Sequence, residues 1–427
     1  MGLPTGTLAL PRRLKRFALL AFSLTFLFTW HFYERIQPVV LDFDTEYPLL
    51  SKHIKGGKVE GGAWHLPEEW TTEKADTSIT TIVAAAQLAL SASKSHPQRQ
   101  IPYSTIPRII HQTWKDTNPE SWPGTFRDSA EKWLGAVEAS NTAYLFWDDD
   151  GVTQFMRHFE SDFQEEFYAL PSNVERSDVF RVLVCKWIGG IYVDMDTEPL
   201  TAPSEWITEE DLIPWTDPDT GTLYNPSKSI QGIVGIEADC PPDTDGYWRA
   251  GYFFPVQLTQ WSFAWAPGHP ILELFIDRLR ATMRDATKVA ALNNQPLLPE
   301  ASSQFDLRDI DPVNLTGPIA FTDSVRSWLD MKTDLRWNAL SGLDDGGVSK
   351  VVEDILVLPI TGFSPGRGRY ANMGSKPITD PSARLYHHAE GSWRKISLKV
   401  EYGKVCRKLF GLCRDWSKVS HSNNHLW

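Results

Sequence analysis

A chain of 427 residues with 42% hydrophobic and 22% charged residues has the composition of a globular protein and the length for a large core or two domains. Its net charge of −12 argues against general nucleic-acid binding, which needs a basic footprint. Eighteen Trp residues, with the Tyr and Phe, are either ordinary aromatic core or stacking surfaces for carbohydrate or nucleotide.

At the N-terminus Arg12, Arg13, Lys15 and Arg16 precede the apolar run 17–33 (FALLAFSLTFLFTWHFY). Basic residues before the run and Glu34, Asp42 and Asp44 after it predict a cytosolic tail over 1–16, a transmembrane signal anchor over 17–33 and a lumenal body. The bulky stretch Thr29–Tyr33 lacks a small-residue cleavage site, which favours an uncleaved anchor over a signal peptide. Residues 34–103 read as a stem. It is punctuated by Gly56-Gly57, Gly61-Gly62 and a polar run over 91–100, with an Ala-rich helical patch at 82–91. The pattern supports no core of its own, though part of it can pack on the body.

From Ile106 the pattern changes and a regularly patterned body begins. Ile109-Ile110 forms a Pro-led strand that runs into His111, Gln112 and Trp114. Open α/β sheets place ligands at the ends of such strands, so Trp114 is either a base-stacking residue or core. A helix is predicted around Phe126–Val137, then a strand over Ala143–Trp147 ending in Asp148-Asp149-Asp150, read as a solvated turn. Residues 151–170 alternate helically. The stretch Ser177–Leu200 (SDVFRVLVCKWIGGIYVDMDTEPL) comes next. Phe180, Leu183, Val184, Trp187 and Ile188 recur at helical spacing, Ser177 suits an N-cap, and Gly189-Gly190 ends the helix by supplying positive φ. Ile191–Val193 is then a short strand. In an extended chain Asp194 and Asp196 face one side, where they suit a hard divalent cation whose other ligands are phosphate oxygens; the alternative is a solvated turn.

Further strands are predicted at 232–237, 260–266 and 355–359, with helices over Ile271–Met283 and from Thr322-Asp323. Alternating strands and helices with short links give an α/β sheet. Asn314 heads the sequon Asn-Leu-Thr. His387 and His388 are either polar surface or, with Asp194 and Asp196 nearby, the source of a further metal ligand. The tail over 397–427 is basic and helical. Cysteines stand at 185, 240, 406 and 413. Cys185 on its apolar helix reads as a buried free thiol. A Cys406–Cys413 pair requires the helix to break at Gly411, because about 10 Å of helical rise would otherwise separate them.

The segments IPRIIHQTWK, SDVFRVLVCKWIGGIYVDMDTEPL, QWSFAWAPGHP, LTGPIAFTDSV and HHAEGSW, in this order, resemble the fungal initiation-specific alpha-1,6-mannosyltransferase group of glycosyltransferase family 32. The resemblance covers 104–396, and its D-V-x-R…G-G-I-Y-x-D-x-D run also recurs in large clostridial glucosylating toxins. It implies a GT-A type fold, a Rossmann-like nucleotide-binding sheet flanked by helices, and a retaining transferase using a nucleotide sugar and Mn2+. Carried over, Asp194 and Asp196 match the metal and diphosphate motif. Asp178 and Arg181 match positions that hold donor sugar and phosphates, and Trp114 matches a base-stacking aromatic. His388, with Ser392 and Trp393, matches a C-terminal closing loop, with His387 left open as the ligand. The catalytic set is then Asp194, Asp196 and Arg181, and the metal set Asp194, Asp196 and His388. The expected function is transfer of mannose from GDP-mannose to a glycan acceptor by a single-pass type II Golgi enzyme, alone or in a Golgi mannosyltransferase complex. The alternatives are a sphingolipid (inositol phosphoceramide) mannosyltransferase, a galactosyltransferase of the same family, or a non-catalytic subunit of such a complex.

Overall fold

The computed structural model describes residues 42–55, 60–71, 79–293 (286–293 as backbone only), 307, 310–367, 373–391 and, in part, 402–411. The predicted anchor over 17–33, Ser392, Trp393 and most of the 397–427 tail lie outside these residues. The chain divides into two units, Met1–Glu46 and Tyr47–Trp427. The described part of the first is a short helix, Phe43–Glu46.

The second unit is framed by a nine-stranded mixed sheet. Three parallel strands lie at its heart: β2 (Ile109–Thr113), β3 (Ala143–Trp147) and β4 (Gly190–Val193). An edge strand β1 (Gly62–His65) pairs antiparallel with β3. A short β5 (Thr197–Pro199) follows the Asp-x-Asp segment, and β6 (Trp215–Thr216) and β7 (Leu223–Tyr224) make a separate hairpin. The rest of the large sheet comprises β8 (Gly232–Asp239), β9 (Val256–Leu258), β10 (Ser262–Trp265), β11 (Lys350–Val352) and β12 (Ile355–Leu358). The strand order is β1-β3-β2-β4-β10-β8-β12-β11, with β9 on β8. A final β13 (Leu385–His387) pairs with β5 alone.

The order β3-β2-β4 matters most. From β2 the chain moves to β3 on one side, then crosses to β4 on the other. Such a reversal opens a crevice at the carboxyl ends of the strands, where ligands bind in open α/β sheets. Strand β4 is fully buried, as expected of a parallel strand covered on both faces.

The helices follow the sequence pattern with adjusted ends: α1 (Ile82–Ser95), α2 (Gly124–Ala139), α3 (Asp149–Phe159), α4 (Asn173–Trp187), α5 (Pro270–Asn293) and α6 (Pro318–Lys332). Three local expectations are corrected. Helix α4 begins ahead of Ser177, because Ser172 caps it by accepting from the Val174 amide at 3.1 Å. Helix α6 begins ahead of Thr322, at Pro318, where a proline's missing N–H costs nothing in a first turn. Asp148 is a helix cap rather than a solvated turn, its Oδ1 accepting from Gly151 N at 2.8 Å.

Part of the segment read as a stem is built into the body. Strand β1 extends the sheet, and the alanine face of α1 is buried in the main core with Trp147, Phe155 and Phe180. Cys185 and Cys240 are buried and free. Cys406 is disulfide-bonded, and Gly411 has φ +68°, a break in helical geometry at the position a Cys406–Cys413 pair requires.

Candidate active site

Gly189-Gly190 sets the site's position. Both residues adopt positive φ, +71° and +102°, as expected from the sequence. A Cβ on Gly190 would stand 2.5 Å from the Ile109 carbonyl oxygen, so only glycine lets β4 lie this close to β2. Buried His111 reinforces the junction: its Nε2 lies 2.8 Å from the Gly189 carbonyl, and the Trp147 indole donates to its Nδ1 at 3.2 Å. Burial pushes the imidazole down to about 4, so the ring is neutral and serves as a structural tie.

Beyond β4 the chain does not stay extended. It turns at Met195-Asp196, closed by Thr197 N and Oγ1 on the Asp194 carbonyl at 3.1 and 2.6 Å. The expectation that Asp194 and Asp196 share one side of an extended strand is therefore corrected. A turn closed by the following threonine sends the two carboxylates to different partners.

Asp194 meets Arg181, with Nη2 to Oδ1 at 3.0 Å. The same guanidinium reaches Asp178 Oδ1 through Nη1 at 3.1 Å, one turn earlier on α4, as i and i+3 spacing allows. It also donates to the Gln260 carbonyl at 3.2 Å and lies over the Tyr192 ring at 5.0 Å. Thr316 Oγ1 donates to Asp178 Oδ2 at 3.1 Å. Burial pushes the Asp178 carboxyl up to about 6, against the opposing pull of Arg181. Burial also raises Asp194, again with Arg181 opposing. For Arg181, burial alone would lower the pKa, but the carboxylates of Asp194 and Asp178 raise it, so the guanidinium is permanently charged.

Asp196 turns to the C-terminal segment. Its Oδ1 lies 3.3 Å from His387 Nε2, its Oδ2 accepts from Glu390 N at 3.0 Å, and its carbonyl accepts from His388 N at 2.9 Å. Burial alone would raise this carboxyl, but the His387 and Glu390 contacts hold it below the usual range. The His387 ring stacks on Trp261, with centroids 4.4 Å apart. His388 points elsewhere, to Glu198 Oε2 at 3.5 Å. Of the two histidines left open by the sequence, His387 is thus the one whose ring meets the Asp-x-Asp turn.

Trp114 follows the carboxyl end of β2, its amide donating to the Trp147 carbonyl at 3.1 Å. The indole is half-buried and packs edge-on against Phe126 at 4.8 Å, and its enclosed Nε1 has no hydrogen-bond partner in the structure. Arg181 Nε, Gln260 Oε1 and Trp261 Nε1 are likewise buried and unpaired. A buried polar atom left unpaired asks for a reason, a polar ligand being one. Five contributors escaped the sequence reading: Gln112, whose Nε2 donates to the Asp194 carbonyl at 3.3 Å, and Tyr192, Gln260, Trp261 and Thr316. Tyr192 had a usable signal, standing in the predicted strand 191–193 that runs into Asp194. Thr316 had none, being 138 residues from Asp178.

Among the described residues, the side-chain groups whose candidate metal-ligand atoms all lie within 4.8 Å of one another are a single trio elsewhere, His53, His65 and Glu138. Asp194, Asp196 and His387 are not drawn together to that distance. The Asp-x-Asp site offers Asp196 with His387 beside it and Asp194 braced by Arg181, a donor set that fits a hard cation completing its shell with phosphate oxygens.

Comparison with known proteins agrees with this chemistry. Residues 111–213 match the family described as "Glycosyltransferase sugar-binding region containing DXD motif". Three fungal proteins named initiation-specific alpha-1,6-mannosyltransferase are similar to the chain. The one from Schizosaccharomyces pombe is 31% identical over 69% of this chain and 66% of its own length. The one from Candida albicans is 29% identical over 69% and 74%, and that from Saccharomyces cerevisiae 24% identical over 68% and 78%.

Proposed function

We propose that the chain, whose residues 111–213 match the glycosyltransferase sugar-binding region containing a DXD motif, transfers mannose from GDP-mannose to a glycan acceptor with retention of configuration. The mannosyl assignment draws on the names of its relatives. The observation that carries the chemistry is the meeting of Arg181 and Asp194 at the carboxyl end of β4, with Asp196 in the turn that follows. A GT-A reading fits that placement.

Breaking the glycosidic bond leaves negative charge on the departing nucleotide's β-phosphate. Arg181 presents a fixed positive charge there, held in place by Asp178 and Asp194 before any ligand arrives, so little reorganisation is needed. Asp194 and Asp196, with His387, would hold a divalent cation such as Mn2+. When bound, that ion neutralises the diphosphate and removes the need for a general acid. Trp114 offers an aromatic face to the base, and Asp178, kept near Arg181, orients donor hydroxyls. An N-terminal anchor and a Golgi-lumenal body complete the proposal.

The test uses the full chain with Mn2+ and a panel of GDP- and UDP-sugars, scored for donor hydrolysis and for transfer to mannosides. GDP-mannose turnover that EDTA abolishes and Asp196→Ala removes is expected. Equal turnover in Asp196→Ala would sink the metal-site reading, and selective use of UDP-galactose would sink the mannosyl assignment while sparing the fold.

A further inference from the structure

Helix α2 carries a stripe of carboxylates that fastens the segment leading into β1. Asp128 Oδ1 accepts from the Tyr47 hydroxyl at 2.9 Å. Glu131 accepts from the amides of Leu49 and Leu50 at 2.9 and 2.8 Å. Glu138, in the last turn, meets His53 Nε2 at 2.7 Å. The stripe ends on an arrangement that fastening alone does not require. His53, on the helical turn Ser51–Lys55, and His65, the last residue of β1, bring their rings to 4.8 Å at an interplanar angle of 71°. The candidate ligand atoms of His53, His65 and Glu138 all lie within 4.8 Å of one another.

We propose that His53, His65 and Glu138 form a second metal site, selective for zinc, that staples the turn Ser51–Lys55 to β1 and α2. The donor set is two imidazole nitrogens and one carboxylate oxygen, with a fourth position left for water. Such a set suits Zn2+, whereas the oxygen-rich Asp-x-Asp site suits Mn2+ or Mg2+. The three ligands come from three elements that hydrogen bonds already bring together, and one ion would add to that fastening. The enclosure is adequate: the His53 side chain is 9% exposed. Glu138 sits at the negative end of the α2 dipole, where a cation is favoured. At present Lys52 Nζ supplies that charge, 2.7 Å from the same Oε1, but its side chain is 62% exposed and free to swing into water.

The two sites lie at opposite ends of the sheet. In β1 His65 pairs with Tyr144, near the start of β3, while Gly62 pairs with Trp147 at its carboxyl end. The zinc site is therefore at the amino-terminal end of the parallel strands, away from the donor crevice, and its role is structural.

The experiment strips the full chain with a chelator, then titrates it with Zn2+ in competition with a chromophoric chelator, following bound metal and melting temperature. One equivalent of zinc should bind tightly and raise the melting temperature. His65→Gln and Glu138→Gln should lose that equivalent and the rise, while Asp196→Ala keeps both. Lys52→Ala should bind zinc more tightly, because it frees the Glu138 oxygen. Should His65→Gln not fold, Glu138→Gln decides, since its site is on the exposed side of α2. The proposal is overturned by undiminished zinc in Glu138→Gln, by loss of the ion in Asp196→Ala alone, or by no zinc in the unaltered chain, in which case the trio is an ion-pair network only.

Discussion

Arg181→Ala is the most informative single change, because one guanidinium faces two carboxylates, that of Asp178 buried and that of Asp194 partly so. Its nitrogens lie 3.1 Å from Asp178 and 3.0 Å from Asp194, and Arg181 and Asp178 are only 8% and 7% exposed. Removing one member of a buried ion pair costs about 3–5 kcal/mol, chiefly because the other charge is left uncompensated. Here Asp178 keeps the Thr316 hydroxyl and Asp194 the Tyr192 hydroxyl, so neither is wholly stranded. The cost should fall in that range at about pH 8, where both carboxylates are ionised in the unfolded chain. It should shrink on acidification. Burial has already pushed Asp178 up to about 6 with Arg181 pulling the other way, so without Arg181 both carboxyls rise further. A carboxyl raised on folding binds more protons in the folded than in the unfolded chain between its two pKa values. Stability therefore falls as pH rises through that window and returns as pH falls. Urea unfolding of the unaltered and variant chains at about pH 5 and about pH 8 reads the difference. A loss under about 1 kcal/mol at the higher pH, of the size of an exposed pair, would refute the reasoning, as would a loss that grows on acidification.

The same geometry sets two further outcomes. Gly190→Ala should destabilise the fold by about 1–3 kcal/mol or more, since it adds strain at φ +102° to a clash 2.5 Å from the Ile109 carbonyl; a thermal melt within a degree or two of the unaltered protein would contradict this. His387→Ala removes the main contact holding the Asp196 carboxyl down, leaving burial to raise it. Because the ionised form is the one needed, the acid limb of donor turnover should move to higher pH, and an unmoved limb in a pH–rate profile would exclude His387 as the partner of Asp196.

How much of this was legible in the sequence depends on how local each feature is. Strand β3 and the Gly189-Gly190 junction are set by short-range pattern and backbone freedom, and both appear where the residues placed them. Asp178 and Arg181 share a helical face through spacing alone. The helix starts were misplaced because capping is a competition between neighbouring serines and prolines: Ser172 won over Ser177 by reaching Val174 N, with Glu175 beside it. The extended reading of Asp194 and Asp196 failed for a similar reason. Period-two geometry holds inside a strand, and the strand stops at Val193, where Thr197 folds the chain back. Residues arriving from far along the chain, such as Gln260, Trp261 and Thr316, follow from topology and have no local signature. The build-in of β1 was hidden because an edge strand four residues long shows too few alternations to be told from a loop.

The same contacts explain why the Asp-x-Asp turn can be rigid without a ligand. The Asp194 amide donates to the Trp261 carbonyl at 2.9 Å, and its carbonyl takes Thr197 from within the turn and Gln112 from β2. Gln112 is itself held by the Tyr144 hydroxyl at 2.6 Å, so β3, β2 and Trp261, just ahead of β10, all brace one peptide. Asp196 is gripped from the other side by the backbone of His388 and Glu390, and the pairing of β13 with β5 sets His387 opposite Thr197. Asp194 thus belongs to the sheet and α4, whereas Asp196 belongs partly to the C-terminal segment. Displacing that segment would leave the Arg181 charge in place but release the second carboxylate. The two halves of the motif therefore answer to different parts of the fold: one is fixed by the sheet and α4, and the other is complete only when β13 is paired with β5.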